Sequence, residues 1–178
     1  MIFHCRVVCC AFFISLIVVS GLGISSCQMN SEPLPDNWRG IVPGKTTEAE
    51  ALGILGTPLR RIEKRDLLVF EFLSGIEGYP NGVGVQGGIV KVIGIRIDPA
   101  RPISLSATLA KYHEPEKQTY STWAHGFHTY IYPRRGLMFI GNPQTDRIAS
   151  AQYFVQMSIE TYMSSWGKDL PLTDPFIK

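Results

Sequence analysis

Two short stretches of the chain carry the same helix design, and their spacing constrains the fold more than any other feature. In the first, Thr47-Glu48-Ala49-Glu50 has the form of a capping box. The Thr47 side chain accepts from the residue 50 amide, and the Glu50 carboxylate reaches back to residue 47. Apolar residues follow at 51, 52, 54 and 55, which gives a short helix one buried stripe. Gly56 supplies a left-handed stop, and Pro58 prevents continuation. Moving on by 57 residues, from 47 to 104, brings the design round again. Ser104 stands in place of Thr47, Leu109 of Leu52, Tyr112 of Leu55 and Pro115 of Pro58. Leu105, Thr108, Leu109 and Tyr112 form the second stripe, but His113 replaces the glycine stop. An internal repeat is therefore expected, with Leu52 and Leu109 buried in equivalent places.

The segments after both helices read as strands. Leu67–Leu73 and Ile89–Ile97 come after the first, both rich in β-branched and aromatic residues. Phe127–Tyr132, Gly136–Ile140 and Ile148–Val155 come after the second. Ile159, Tyr162, Met163 and Trp166 lie at helical spacing and end at Gly167, which predicts a terminal helix. The expected class is α+β: two tandem helix-plus-antiparallel-strand repeats, residues 40–98 and 99–157, forming one sheet with helices on one face. Residues 158–178 make a C-terminal helix and tail.

The four cysteines, Cys5, Cys9, Cys10 and Cys27, all lie near the N-terminus. An apolar run from Val7 to Ile24 comes after Arg6 and is broken only by Ser15, Ser20 and two glycines. That order of positive start, apolar middle and small residues is that of a secretory signal. A retained membrane helix is the alternative, since 18 residues sit at the lower limit for spanning a bilayer. Ile24-Ser25-Ser26-Cys27 resembles the lipobox of bacterial lipoproteins, in which the chain is cut before the cysteine and the cysteine carries the lipid. The resemblance implies that residues 1–26 are removed and that Cys27 is lipidated. Gln28 in place of an aspartate implies the outer membrane, facing the periplasm, in a two-membrane cell, and otherwise the outer face of the plasma membrane. Residues 27–39, with Pro33, Pro35, Asp36 and Asn37 and no apolar period, read as a lipidated N-terminus and flexible linker.

Removing residues 1–26 takes away one charge, Arg6, leaving 16 Lys+Arg against 15 Asp+Glu in 152 residues. A chain so nearly neutral does not present the basic surface that nucleic-acid binding requires. With no cysteine after Cys27, the folded part has no disulfide, thiolate metal site or cysteine nucleophile. Gly82-Val83-Gly84-Val85-Gln86-Gly87 satisfies the literal GxGxxG pattern. A dinucleotide site needs a helix after that loop, yet a strand-like run starts at Ile89, so a hairpin loop between strands is expected. His125 and His128, with Glu114 and Glu116 nearby, fall short of a metal-ligand set. No nucleophile elbow is present, and Glu48 and Glu50 are explained by the first turn of a helix. An enzyme, a cofactor and a metal are not expected.

The run from Ile41-Val42-Pro43-Gly44 through the capped helix to Leu55-Gly56-Thr57-Pro58 resembles a superfamily of small lipoproteins. It includes the outer-membrane assembly lipoproteins of the SmpA/OmlA type and the β-lactamase inhibitory protein, which has two such repeats in tandem. The resemblance implies protein binding or scaffolding, with no shared catalytic residue. Tyr120, Trp123 and Phe127, in a loop-like stretch, form one candidate partner surface, and Tyr79 in the Gly75–Gly88 segment forms a second. The competing reading is that Trp123 and Phe127 close the core over the sheet. The function expected is a lipid-anchored, non-catalytic envelope protein that binds or scaffolds another envelope protein. Inhibition of an envelope or secreted hydrolase is the second reading, and a small-ligand-binding or hydrolytic envelope protein the third.

Overall fold

A computed structural model of the chain describes residues 32–64, 66–173 and 175–176. The lipobox, Cys27 and the apolar run before them lie outside the described residues. The chain is α+β; the described residues form a single antiparallel sheet of eight strands and three α-helices. Helix α1 (Glu48–Leu55) leads into β1 (Arg60–Lys64), β2 (Leu67–Phe72), β3 (Asn81–Gln86) and β4 (Ile89–Arg96). Helix α2 (Leu105–Tyr112) leads into β5 (Lys117–Tyr120), β6 (His128–Tyr132), β7 (Leu137–Asn142) and β8 (Arg147–Phe154), and α3 (Ile159–Ser165) comes last. The strand order is β1-β2-β3-β4-β8-β7-β6-β5, so β4 and β8 meet in the middle of the sheet and β1 and β5 are its edges.

Both capped helices form where the sequence places them. Thr47 Oγ1 accepts from the Glu50 amide at 3.2 Å while the Glu50 carboxylate accepts from the Thr47 amide at 2.8 Å. Ser104 Oγ accepts from the Ala107 amide at 3.0 Å. At the other end, Gly56 (φ 79°, ψ −155°) and His113 (φ 65°, ψ −157°) adopt almost the same backbone, one that a residue with a Cβ enters only under strain. Leu52 and Leu109, expected in the core, are only partly buried against it. The deepest helix positions are Ala51 in α1 and Leu105, Thr108 and Tyr112 in α2. Ala51 and Thr108 hold the inward positions, and one further residue, about 100° round the helix, turns Leu52 and Leu109 aside.

The sheet separates two cores. Strand alternation sends Phe70, Phe72, Val83, Val90, Ile93, Ile95, Tyr130, Tyr132 and Phe139 to the face covered by α1 and α2. Ile131, Met138 and Phe154 point the other way and pack against Tyr162 of α3, with Ile140, Ile159 and Met163 around them. Helices on one face is therefore correct for α1 and α2 and is corrected for α3. The second half needs α3 because its strands are apolar on both sides.

Helices α1 and α2 are each followed by four strands rather than two or three. The unforeseen ones lack an apolar pattern: β1 is Arg-Arg-Ile-Glu-Lys and β5 is Lys-Gln-Thr-Tyr, both polar edge strands. Strand β3 was hidden by its glycines. The Gly82–Gly87 stretch is not a hairpin loop, since Asn81–Gln86 pairs with β2 and β4 and only Gly87 and Gly88 turn. A Cβ on Gly84 would lie 2.6 Å from Val92 Cγ1, so the glycine is what lets β4 pass.

The flexible linker does not extend to residue 39. Leu34 is fully buried; its amide donates to Thr108 Oγ1 at 2.9 Å and its carbonyl accepts from Lys111 Nζ at 3.0 Å and Tyr112 Oη at 3.1 Å. Tyr153 Oη donates to the Pro35 carbonyl at 2.9 Å. Pro33 and Pro35 favour the extended backbone and bring no amide needing a partner, so the prolines that read as a tether fit a segment docked along α2.

Candidate functional site

Antiparallel order puts four connections at one end of the sheet: β2 to β3, β4 to α2, β5 to β6, and β7 to β8. Among them lies an open cleft of about 750 Å³, the size of a small-ligand pocket. The loop between β2 and β3 carries Ile76 and Tyr79, and that between β5 and β6 carries Trp123 and Phe127. The last residue of β4, Arg96, reaches in from the sheet, followed by Ile97, Asp98 and Pro99. Asn142, Thr145, Arg147 and Ile148 line the β7–β8 side.

Each loop is shaped by its own hydrogen bonds. Ser74 Oγ accepts from the Ile76 amide at 3.0 Å, and the Ile76 carbonyl accepts from the Tyr79 amide at 3.2 Å. Across the cleft, the Ser121 amide donates to the Phe127 carbonyl at 3.0 Å, closing the loop at its base, and Ser121 Oγ accepts from the Trp123 amide at 3.1 Å. Buried Asn81 ties the first loop to the sheet. Its Oδ1 accepts from the Arg96 amide at 2.8 Å and its Nδ2 donates to the Leu73 carbonyl at 3.3 Å. Loops held in this way by a rigid sheet are where binding residues concentrate.

The two loops meet through their rings. Tyr79 and Trp123 lie edge to face with centroids 6.3 Å apart. The Arg96 guanidinium sits 4.4 Å from the Trp123 ring centre and 5.8 Å from that of Tyr79. Burial pulls the Arg96 pKa below its ordinary value, and the Tyr79 hydroxyl pushes against that shift. Trp123 remains 45% exposed and Tyr79 53%, too open for Trp123 to close the core. Phe127 is half-buried on the cleft wall.

Three of the four aromatic residues predicted as partner-binding thus come together, and the two stretches predicted as separate candidates are one site. Tyr120 does not join them. It is the last residue of β5, half-buried, with its ring 5.0 Å from that of His128. Cys27 lies outside the described residues. Arg96, Asn142 and Arg147 were missed; only an arginine interrupting the apolar run of β4 was there to be noticed. Among the described residues no group of three His, Cys, Asp or Glu could hold a metal ion, and no helix is long and apolar enough to cross a membrane.

No family model matches the sequence, and no curated protein does. A DUF4309 family protein (YjgB) from Bacillus subtilis subsp. subtilis str. 168 has a similar solved structure, with TM-score 0.45 and 11% identity. That similarity covers 71% of this chain and 89% of the other.

Proposed function

We propose that the chain is a lipid-anchored, non-catalytic protein of the cell envelope, and that its folded part binds another envelope protein through the cleft between Tyr79 and Trp123. The observation that carries this reading is the convergence of Tyr79, Trp123 and Phe127, from distant loops, onto one open cleft. Exposed aromatics around a concave centre supply most of the binding energy where proteins meet. The anchor is Cys27, with the domain outside the cytoplasm, on the outer membrane of a two-membrane cell or the outer face of the plasma membrane otherwise.

The folded part is further proposed to be a tandem of two αββββ repeats, as the resemblance to the SmpA/OmlA and β-lactamase inhibitory protein superfamily implies. In its support, the cap residue of each helix bridges the first residue of the fourth strand after it, Thr47 with Ile89 and Ser104 with Arg147. From Ile89 to Arg147 is 58 residues, and the same step carries Gly94 onto Gln152, its own pairing partner. A dyad through that pair exchanges the halves.

The test uses the full chain in cells. A photo-crosslinking residue at position 123 or 79 is expected to trap one discrete membrane-protein adduct, and one at Arg61, on the far edge strand, none. Cys27→Ser is expected to release the domain from membranes or leave an uncleaved precursor. Equal adducts from all three positions would remove the cleft from the reading, and unchanged mass and fractionation of Cys27→Ser would remove the anchor.

A further inference from the structure

Among the described residues the charge in the cleft has no counterion. Arg60 and Arg134, on the open surface, each pair with a glutamate, Glu71 and Glu116. Arg96 is more buried than either, and yet no described carboxylate lies within ion-pair distance of it, and its guanidinium has no hydrogen-bond acceptor among the described residues. Asp98 lines the same cleft but turns Oδ1 to the Ala100 amide at 2.9 Å. A partly desolvated cation without a partner is a standing cost that an incoming anion relieves.

Geometry gives that anion its form. The guanidinium carbon lies over the Trp123 and Tyr79 rings, 4.4 and 5.8 Å from their centres. Contact with the rings uses none of the guanidinium N–H donors, and these match a carboxylate two bonds at a time. Arg147 adds a second positive charge to the lining. Ile76, Pro99, Phe127 and Ile148 provide apolar wall beside the charge. A cationic ligand is disfavoured, because Arg96 already occupies the aromatic faces it would seek.

We propose, resting on the binding role assigned to this cleft, that it takes a peptide segment presenting a carboxylate beside an apolar side chain, with Arg96 as the partner of the carboxylate. The carboxylate has two possible sources in a protein, a free C-terminus or an acidic side chain.

Dye-labelled peptides and fluorescence anisotropy distinguish them, using the detergent-solubilised full chain. The probes are leucyl-phenylalanine with a free C-terminus, glutamyl-phenylalanine amide, and glutaminyl-phenylalanine amide as the neutral control. At least one of the two acids is expected to bind about tenfold tighter than the control, the gain typical of a charge-assisted hydrogen bond. The stronger acid identifies the source. Arg96→Gln is expected to abolish the preference, Arg96→Lys to leave part of it, and Arg60→Gln to change nothing. Arg96 holds Asn81 through its backbone amide, so these variants keep the loop's anchor, and unchanged melting temperatures verify it. Equal binding of the neutral peptide, a preference that survives Arg96→Gln, or inorganic phosphate displacing the peptide at equal concentration each overturns the proposal. A neutral peptide whose binding is lost in Trp123→Ala would remove the anion and keep the cleft as a protein-binding surface. No binding by any probe removes the peptide chemistry, while the crosslinks from position 123 judge the binding role separately.

Discussion

The segments α1-β1-β2-β3-β4 and α2-β5-β6-β7-β8 each run from a helix into four antiparallel strands, and they differ in two respects. Aligned on their irregularities, at Gly84/Val85 in β3 and Ile140/Gly141 in β7, Gly82 and Gly84 correspond to Met138 and Ile140. On the face that α3 covers, the second half carries Met138 and Ile140, while the first half carries Gly82 and Gly84 among Leu67, Val69 and Val92, of which Val92 packs against the α3 cluster. The halves also exchange loop lengths. Residues 73–80 join β2 to β3 and residues 121–127 join β5 to β6, whereas the β1–β2 and β6–β7 connections are short. That exchange brings both long loops to the same end of the sheet, where they enclose the cleft. The difference teaches that the second segment packs on both faces of the sheet, while the uneven loops of the two segments make the cleft.

The sharpest way to break that comparison is to compare matched core deletions. Phe139 in β7 is fully buried and stacks with Tyr130 and Tyr132 at 5.2 and 5.7 Å. Phe70 in β2 is also buried, but lies one strand from the edge. Phenylalanine-to-alanine changes in cores cost about 3–5 kcal/mol. Urea denaturation is expected to put Phe139→Ala at the upper end of that range and Phe70→Ala at the lower. Equal losses would mean that both halves carry the core alike.

Backbone strain separates the halves next. Gly56 and His113 end their helices in the same conformation, but only glycine occupies it without cost. Such strain is worth about 1–3 kcal/mol. His113→Gly is expected to raise stability by roughly the lower figure and Gly56→Ala to lower it by a similar amount or more. Thermal melts check the signs. A destabilised His113→Gly would show that the histidine side chain holds contacts that outweigh its strain.

These two helix ends also mark what the sequence discloses. The caps, the stops and the apolar strands were legible because each is a local pattern: Thr47 with Glu50, Gly56 with Pro58, alternation through Thr129–Tyr132. Strands β1, β3 and β5 were not, since pairing with neighbours, not their own polar or glycine-rich residues, makes them strands. Pro33 and Pro35 looked like a tether because the residues that receive them, Thr108, Tyr112 and Tyr153, lie more than seventy positions away. In the cleft the aromatic residues were visible as types, but their convergence depends on loop order across the whole sheet. Arg96 showed only as a charge in an apolar run, and its place in the cleft depends on the same loop order.

Cap deletions sharpen the comparison at a smaller scale. Thr47 Oγ1 serves the Glu50 amide and carboxylate in a partly exposed position. Ser104 is buried, and its Oγ accepts from the Ala107 amide and donates to Asp146 Oδ2 at 2.8 Å. Losing an N-cap costs about 1 kcal/mol, and losing the charge-assisted bond to Asp146 adds to it. Ser104→Ala is expected to lose about 2 kcal/mol in urea and Thr47→Ala about 1. Equal values would mean that Asp146 finds water once the hydroxyl is gone.

The smallest expected effect is also the one with a pH signature, and it concerns the segment docked on α2. Lys111 Nζ lies 3.1 Å from Asp36 Oδ1, and Tyr112 Oη donates to the same oxygen at 2.9 Å. The Lys111 hydrogen bond first, and the Tyr112 hydroxyl second, hold the Asp36 carboxyl below its ordinary 3.8, against a weaker opposing pull from burial. A carboxyl whose pKa is lower in the folded state stabilises the fold fully above the unfolded value. That contribution is lost as pH falls through the folded one. Asp36 is 73% exposed on its side chain, so screening limits the effect to a few tenths of a kcal/mol. Asp36→Asn is expected to lower stability by that amount at neutral pH. The gap should stay constant down to about the ordinary 3.8 and close below it. Hydrogen exchange at the Leu34 amide, bonded to Thr108 Oγ1, reads the same interaction locally and should quicken in the variant above pH 4 only. A gap that persists unchanged at pH 2, or Leu34 exchange indifferent to the substitution, would show that apolar burial of Leu34 alone docks the segment and that the ion pair adds nothing.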